Sequence, residues 1–228
     1  MVFASKLSNL ETIFSPCSDR LDYWARFIAE HDFACVAEIG VWKGEFAEDI
    51  LRNCENIKQY IMVDPWRHMS NWNKPFNVDD DRFESVRDEA LARTSFAADK
   101  IVEYRDTTIN AMQHLADDAL DFAYIDGDHT LRGIALDLMS VYPKVKEGGV
   151  IAGDDFTVTP WQHKAEFEPT LIFPYAVIFA EAMNVPIFAL GSNQFAIVKR
   201  SVVGFKFVDL TNGHYSDLSL NSLLPSQA

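Results

Sequence analysis

Glu38-Ile39-Gly40-Val41-Trp42-Lys43-Gly44 is the stretch on which the reading of this chain turns. It follows the apolar run Ala34-Cys35-Val36-Ala37 and leads into a helical stretch at 46–52. Strand, glycine turn and helix in that order open a βαβ unit. In a doubly wound sheet such a turn lies outside the carboxyl ends of the strands, where nucleotides bind. Gly40 permits the tight turn, and Gly44 permits close backbone approach to a ligand.

The pattern continues outward. Apolar runs recur at 60–63, 101–104, 122–125, 150–152, 186–190 and 195–198, which with 34–39 makes seven expected strands. The first five are apolar throughout, as strands covered on both faces should be. Helices are expected at 22–30, 46–52, 81–93, 110–115, 130–141 and 174–183. Leu131, Ile134, Leu138 and Val141 share one helical face. Only Gly191-Ser192-Asn193-Gln194 joins the last two strands, a hairpin connection that makes them antiparallel. The expected fold class is therefore α/β: a seven-stranded mixed sheet between two helical layers, ending in an antiparallel hairpin. Residues 1–33 read as an N-terminal helical cap, 34–200 as the main domain and 201–228 as a polar C-terminal tail without an assigned element. The aromatic stretch 66–78 reads as a long loop and a candidate lid.

Composition narrows the function. The 228 residues carry twenty basic and thirty-four acidic side chains, a formal charge of −14. That excess argues against wrapping duplex DNA through its phosphates, so no nucleic-acid partner is expected. Hydrophobic residues make up 48%, enough for a sizeable core. No apolar run is long enough to span a membrane, and the N-terminus does not read as a secretory signal. Cys17, Cys35 and Cys54 are odd in number and lack metal spacing, so reduced thiols and a cytoplasmic location are expected.

The strand ends carry the chemistry. Asp64 closes the second strand, twenty residues after Gly44, where an acid accepts hydrogen bonds from ribose hydroxyls. Trp66 follows it at the same position. The three-glycine dinucleotide fingerprint is incomplete, and Glu38 would repel a pyrophosphate. A nucleoside that carries a cation, such as S-adenosylmethionine, fits better than NAD. An ordinary strand–helix turn with a packing glycine is the alternative. Asp126 and Asp154 are separated by one strand–helix–strand crossover, so their strands are neighbours about 4.8 Å apart. Asp155 joins them. Carboxylates so close call for a shared cation. Oxygen ligands without cysteine favour Mg²⁺, Mn²⁺ or Ca²⁺ over zinc. The alternative is that Asp128 caps the helix at Thr130 and the other acids are solvated. His129 is the best-placed general base, with Asp128 its competitor. Asp106 and Thr107 end the third strand, where they either meet an adenine edge or make a turn or cap. Trp42, Trp72, Phe76 and Trp161 could wall a ligand or simply pack.

Taken together, AEIGVWKG, MVDPW, FAYIDGDHT and GGVIAGDDF resemble the S-adenosylmethionine-dependent methyltransferase superfamily with its Rossmann-like seven-stranded fold, over residues 34–200. IDGDHT followed by GGVIAGDDF looks most like the small-molecule and sugar O-methyltransferases. It is also similar to catechol O-methyltransferase, whose metal is held by an acid after strand four and an Asp-Asn pair after strand five. The resemblance implies a metal at Asp126, Asp154 and Asp155. It places Glu38, Gly40 and Gly44 along the methionine half of the cofactor, with Asp126 beside it. It sets Asp64 and Trp66 at the ribose and Asp106 and Thr107 at the adenine. Asp155 stands where the catechol enzyme has Asn, and His129 where it has a lysine base. The implied reaction is methyl transfer to an oxygen of a small hydroxylated molecule or sugar. The alternatives are a methyltransferase without metal and an NAD- or nucleotide-binding protein on the same sheet. Oligomeric state is open, a homodimer being one option.

Overall fold

The structure is a computed structural model that describes residues 19–200 and 203–215. Cys17 and the rest of residues 1–18 lie outside the described residues, as do 201–202 and 216–228. Eight strands form one sheet: β1 (Cys35–Ile39), β2 (Gln59–Val63), β3 (Ile101–Tyr104), β4 (Leu120–Ile125), β5 (Val145–Gly153), β6 (Pro186–Leu190), β7 (Gln194–Val198) and β8 (Lys206–Asp209). Their order is β3-β2-β1-β4-β5-β7-β6-β8. Strands β1 to β5 run parallel, and β7 is antiparallel to both β5 and β6. The α/β class, the mixed sheet and the antiparallel final hairpin are as expected.

The count of seven strands needs correction. β8 comes from residues expected to be tail, and it pairs with β6 alone, in parallel. Four residues at a sheet edge, with one partner, leave little hydrophobic pattern to read.

Among the described residues the α-helices are α1 (Arg20–Glu30), α2 (Glu45–Asn53), α3 (Asp80–Thr94), α4 (Thr108–Met112), α5 (Leu131–Val141) and α6 (Ile172–Ala182). Side-chain caps set several starts. Asp79 accepts from Arg82 N at 2.8 Å before α3, and Thr130 Oγ1 accepts from Gly133 N at 3.1 Å before α5. Alternation along the strands splits the core into two clusters. Val36, Tyr60, Met62, Phe122 and Tyr124 face α1, α2 and α3, whereas Ala37, Ile61, Ala123, Ile125 and Ile151 face α4, α5 and α6. Helix α1 is part of this core: Trp24 and Ile28 are fully buried.

The sheet order reverses direction between β1 and β4, which places the crevice at their carboxyl ends. The tips are locked side by side there. Asp126 N donates to Ile39 O at 2.7 Å, Asp154 N to Ile125 O at 3.1 Å, Gly40 N to Val63 O at 2.9 Å and Asp64 N to Tyr104 O at 3.2 Å. One backbone row thus carries four of the expected site residues.

Candidate active site

Gly40 has φ +85, and a Cβ there would overlap the Asp126 carbonyl and lie 2.7 Å from Gly127 Cα. The glycine lets the β1 turn touch the β4 turn. Gly44 has φ +76 and caps α2, and its bare Cα faces Ala90 of α3, where a Cβ would come within 3.0 Å of the Ala90 Cα. In the fold this close approach packs α2 against α3.

Asp64 is buried, and its carboxylate is occupied by backbone. Oδ2 accepts from Val41 N at 3.0 Å and Trp42 N at 2.9 Å, and Oδ1 accepts from Trp66 N at 2.8 Å. Burial raises its pKa, and the three N–H groups oppose that rise. Trp42 and Trp66 have φ +51 and +38, a region costly for bulky residues. Asp64 holds both in place. Trp66 is wholly buried, and its Nε1 donates to Trp42 O at 2.9 Å, so its ring packs beneath the turn. Glu38 is buried beside Tyr60, whose hydroxyl donates to Oε2 at 2.8 Å; burial drives the Glu38 pKa well up. Asp106 accepts from Thr107 N and Asn110 Nδ2 at 2.7 and 2.9 Å, and Thr107 stands at the start of α4 without a side-chain cap bond. The pair makes the local turn, the plainer of its two readings.

The acids after β4 and β5 do converge, in a different grouping from the expected one. Asp126, His129 and Asp155 bring one ligand atom each within 4.8 Å of one another. His129 Nδ1 lies 2.5 Å from Asp155 Oδ2, and Nε2 lies 3.3 Å from Asp126 Oδ1. Nε2 is buried and has no hydrogen-bond partner. Burial works against a charged imidazole, yet the two carboxylates outweigh it and hold the His129 pKa up to about 9. Burial likewise pushes Asp155 up, and His129 and Gln162 more than reverse it. Asp155 adopts φ +55, which turns its side chain toward His129. Asp154 points elsewhere. Its Oδ1 accepts from Gln194 Nε2 at 2.5 Å, and its Oδ2 pairs with Arg20. Arg20 Nη1 also lies 3.2 Å from Asp126 Oδ2. Sequence reasoning missed Arg20, and no local pattern marks a contact across 106 positions. Asp128 is engaged by Thr130 N, Thr130 Oγ1 and Trp72 Nε1. It is a turn and lid anchor outside the Asp126–His129–Asp155 group.

The 66–78 stretch closes over this edge. Besides Trp72 to Asp128, Asn73 N donates to Glu168 Oε2 at 2.8 Å, and Lys74 Nζ donates to Thr170 Oγ1 at 3.2 Å. Thr170 Oγ1 donates to Gln162 Oε1, and Gln162 donates to Asp155. The lid is therefore tied, through the 156–171 segment, to the acid cluster. Trp161 and Phe76 remain about half exposed at its rim.

A family model described as a methyltransferase domain matches residues 37–156, just over half of the chain. The chain belongs to that family: it is an S-adenosylmethionine-dependent methyltransferase with a Rossmann-like fold. This removes the alternative of an NAD-binding protein on the same sheet. Solved structures of similar fold include a Staphylococcus aureus protein assigned as a caffeoyl-CoA O-methyltransferase, at TM-score 0.59 and 13% identity over 81% of this chain and 85% of that one. An O-methyltransferase from Bacillus cereus in complex with SAH matches at TM-score 0.56 and 16% identity, over 84% and 91%. Spermidine synthase from Thermotoga maritima matches at TM-score 0.50 and 12% identity, over 77% and 57%. Identities this low speak to the fold alone. No curated protein matches the chain. No helix among the described residues is long and apolar enough to cross a membrane.

Proposed function

We propose that the chain methylates an oxygen of a small hydroxylated molecule or sugar, with a divalent cation held by Asp126, His129 and Asp155. The observation that carries this reading is that cluster, placed at the switch point between β1 and β4. Its donor set suits a hard divalent ion such as Mg²⁺ or Mn²⁺. His129 Nε2 is buried and lies 3.3 Å from Asp126 Oδ1 without a well-formed hydrogen bond, so the deprotonated ring could offer it to an ion. Such an ion, when bound, lowers the pKa of an acceptor hydroxyl and fixes its direction.

The chain's own groups supply the rest. The turn at Gly40 and the tips carrying Glu38, Asp64 and Asp126 form the cofactor side, with Asp106 and Thr107 beyond β3. Asp64 keeps that turn in shape. The lid and the 156–171 segment shut out water and orient the acceptor, and orientation alone can lower a barrier by about 7–11 kcal/mol. Asp128 is committed to Thr130 and Trp72, and both nitrogens of His129 face Asp126 and Asp155, so neither residue is poised to take the acceptor's proton in this arrangement.

A second reading, methyl transfer without metal, has one observation in its favour: Arg20 and His129 already place two organic cations among the three acids. The test is transfer of labelled methyl from S-adenosylmethionine to a panel of diols and sugars. The metal reading expects turnover to vanish in chelator, to return with Mg²⁺ or Mn²⁺, and to be lost in Asp155→Ala. Full turnover in chelator would establish the metal-free reading.

A further inference from the structure

Three carboxylates, Asp126, Asp154 and Asp155, meet at this edge, and two side-chain cations meet them. His129 lies between Asp126 and Asp155, and Arg20 lies between Asp126 and Asp154. Arg20 comes from outside the βαβ core, at the first position of α1. Its side chain is about a third exposed, so it can swing to solvent, while Asp154 is largely covered. A second thread ties α1 to the same carboxylate. Trp24 Nε1 donates to Gln194 Oε1 at 2.8 Å, as does the Tyr124 hydroxyl, and Gln194 donates to Asp154 Oδ1. Helix α1 therefore stays docked if Arg20 leaves.

We propose that Arg20 is a resident counter-cation at Asp126 that a divalent ion held by Asp126, His129 and Asp155 must displace, so that ion binding frees the first turn of α1. This rests on the metal reading above. An acid group left without a cation would repel its neighbours, and a fully buried pair would be costly to break. Arg20 avoids both extremes, because its partly exposed pair is weak enough to exchange. Linkage then requires reciprocity: what Arg20 gains from the acids, the ion loses in affinity.

The test is Mn²⁺ titration of the full chain by calorimetry, with Arg20→Gln and Arg20→Lys beside the unaltered protein and thermal unfolding as the fold control. Arg20→Gln should bind Mn²⁺ about tenfold tighter, and Arg20→Lys should stay near the unaltered protein. Amide exchange on the unaltered protein provides a reading that no variant can confound. Saturating Mn²⁺ should speed exchange at residues 20–23 and leave the Trp24 end of α1 protected. Equal or weaker Mn²⁺ affinity in Arg20→Gln, or unchanged exchange at 20–23, overturns the displacement and leaves the metal site standing. No Mn²⁺ uptake by any of the three proteins overturns the metal reading and the displacement with it.

Discussion

Asp64→Asn separates two roles that one carboxylate could play. In the structure its oxygens accept three backbone N–H groups and hold two tryptophans at positive φ. Asparagine keeps one acceptor oxygen. If that oxygen stays with Val41 and Trp42, the amide NH₂ faces the N–H of Trp66, and donor meets donor. Hydrogen bonds to a charged group contribute about 1.5–3 kcal/mol each. One is lost outright, and two lose their charge assistance. Relief from burying the charge offsets part of this, so the net cost is about 2–4 kcal/mol. For a chain of this length that is a fall in Tm of about 5–15 °C. The strained φ values of Trp42 and Trp66 would relax with it, and the turn that forms the cofactor edge would lose its shape. Thermal unfolding and calorimetric titration with S-adenosylhomocysteine should therefore move together. A variant that melts with the parent yet no longer binds S-adenosylhomocysteine would refute the bracing role and return Asp64 to the ribose.

Two further perturbations probe the frame. Gly40→Ala forces an L residue into φ +85 and drives its Cβ into backbone at Asp126, so it should cost about 3 kcal/mol or more by denaturant unfolding. Gly148→Ala, at φ +84 with open space around it, should cost only about 1–2 kcal/mol; equal losses at the two sites would remove the close-approach explanation. Asp137 is buried against Thr108, and burial lifts its pKa from 3.8 to about 7. The folded state then keeps a proton that the unfolded chain has released, so this contribution is complete below pH 4 and is lost as pH rises toward 7. The full span is worth about 4 kcal/mol at most. Urea unfolding should show Asp137→Asn gaining on the unaltered protein between pH 4.5 and pH 7.5; parallel curves would sink the assignment.

The parallel half of the sheet was legible because burial on both faces leaves an unbroken apolar signature. Tyr60-Ile61-Met62-Val63 and Phe122-Ala123-Tyr124-Ile125 are such runs. Topology then did most of the work at the site, since one crossover sufficed to place Asp126 beside Asp154. What could not be read was direction. Asp154 and Asp155 are consecutive, and the left-handed backbone at Asp155 sends one toward His129 while the other meets Gln194 and Arg20. Spacing is blind to that. It is equally blind to which surface a glycine faces: the bare Cα of Gly44 meets Ala90, a packing contact its spacing does not announce. Trp66 stood next to the expected ribose position and turned inward, because its indole N–H finds Trp42 O below the turn.

The same blindness bears on how far a metal site can be read from acids alone. Counting carboxylates at the strand ends gives three, and three invite a cation. The structure adds the other half of the count, Arg20 and His129, neither of which is an oxygen ligand. A site whose negative charge is already met internally does not need an ion in order to fold. Any ion it takes must therefore be favoured by its own chemistry with an acceptor hydroxyl, over the Arg20 guanidinium it displaces. On the metal reading, ion binding would therefore be an exchange at Asp126, which Arg20 and His129 both touch.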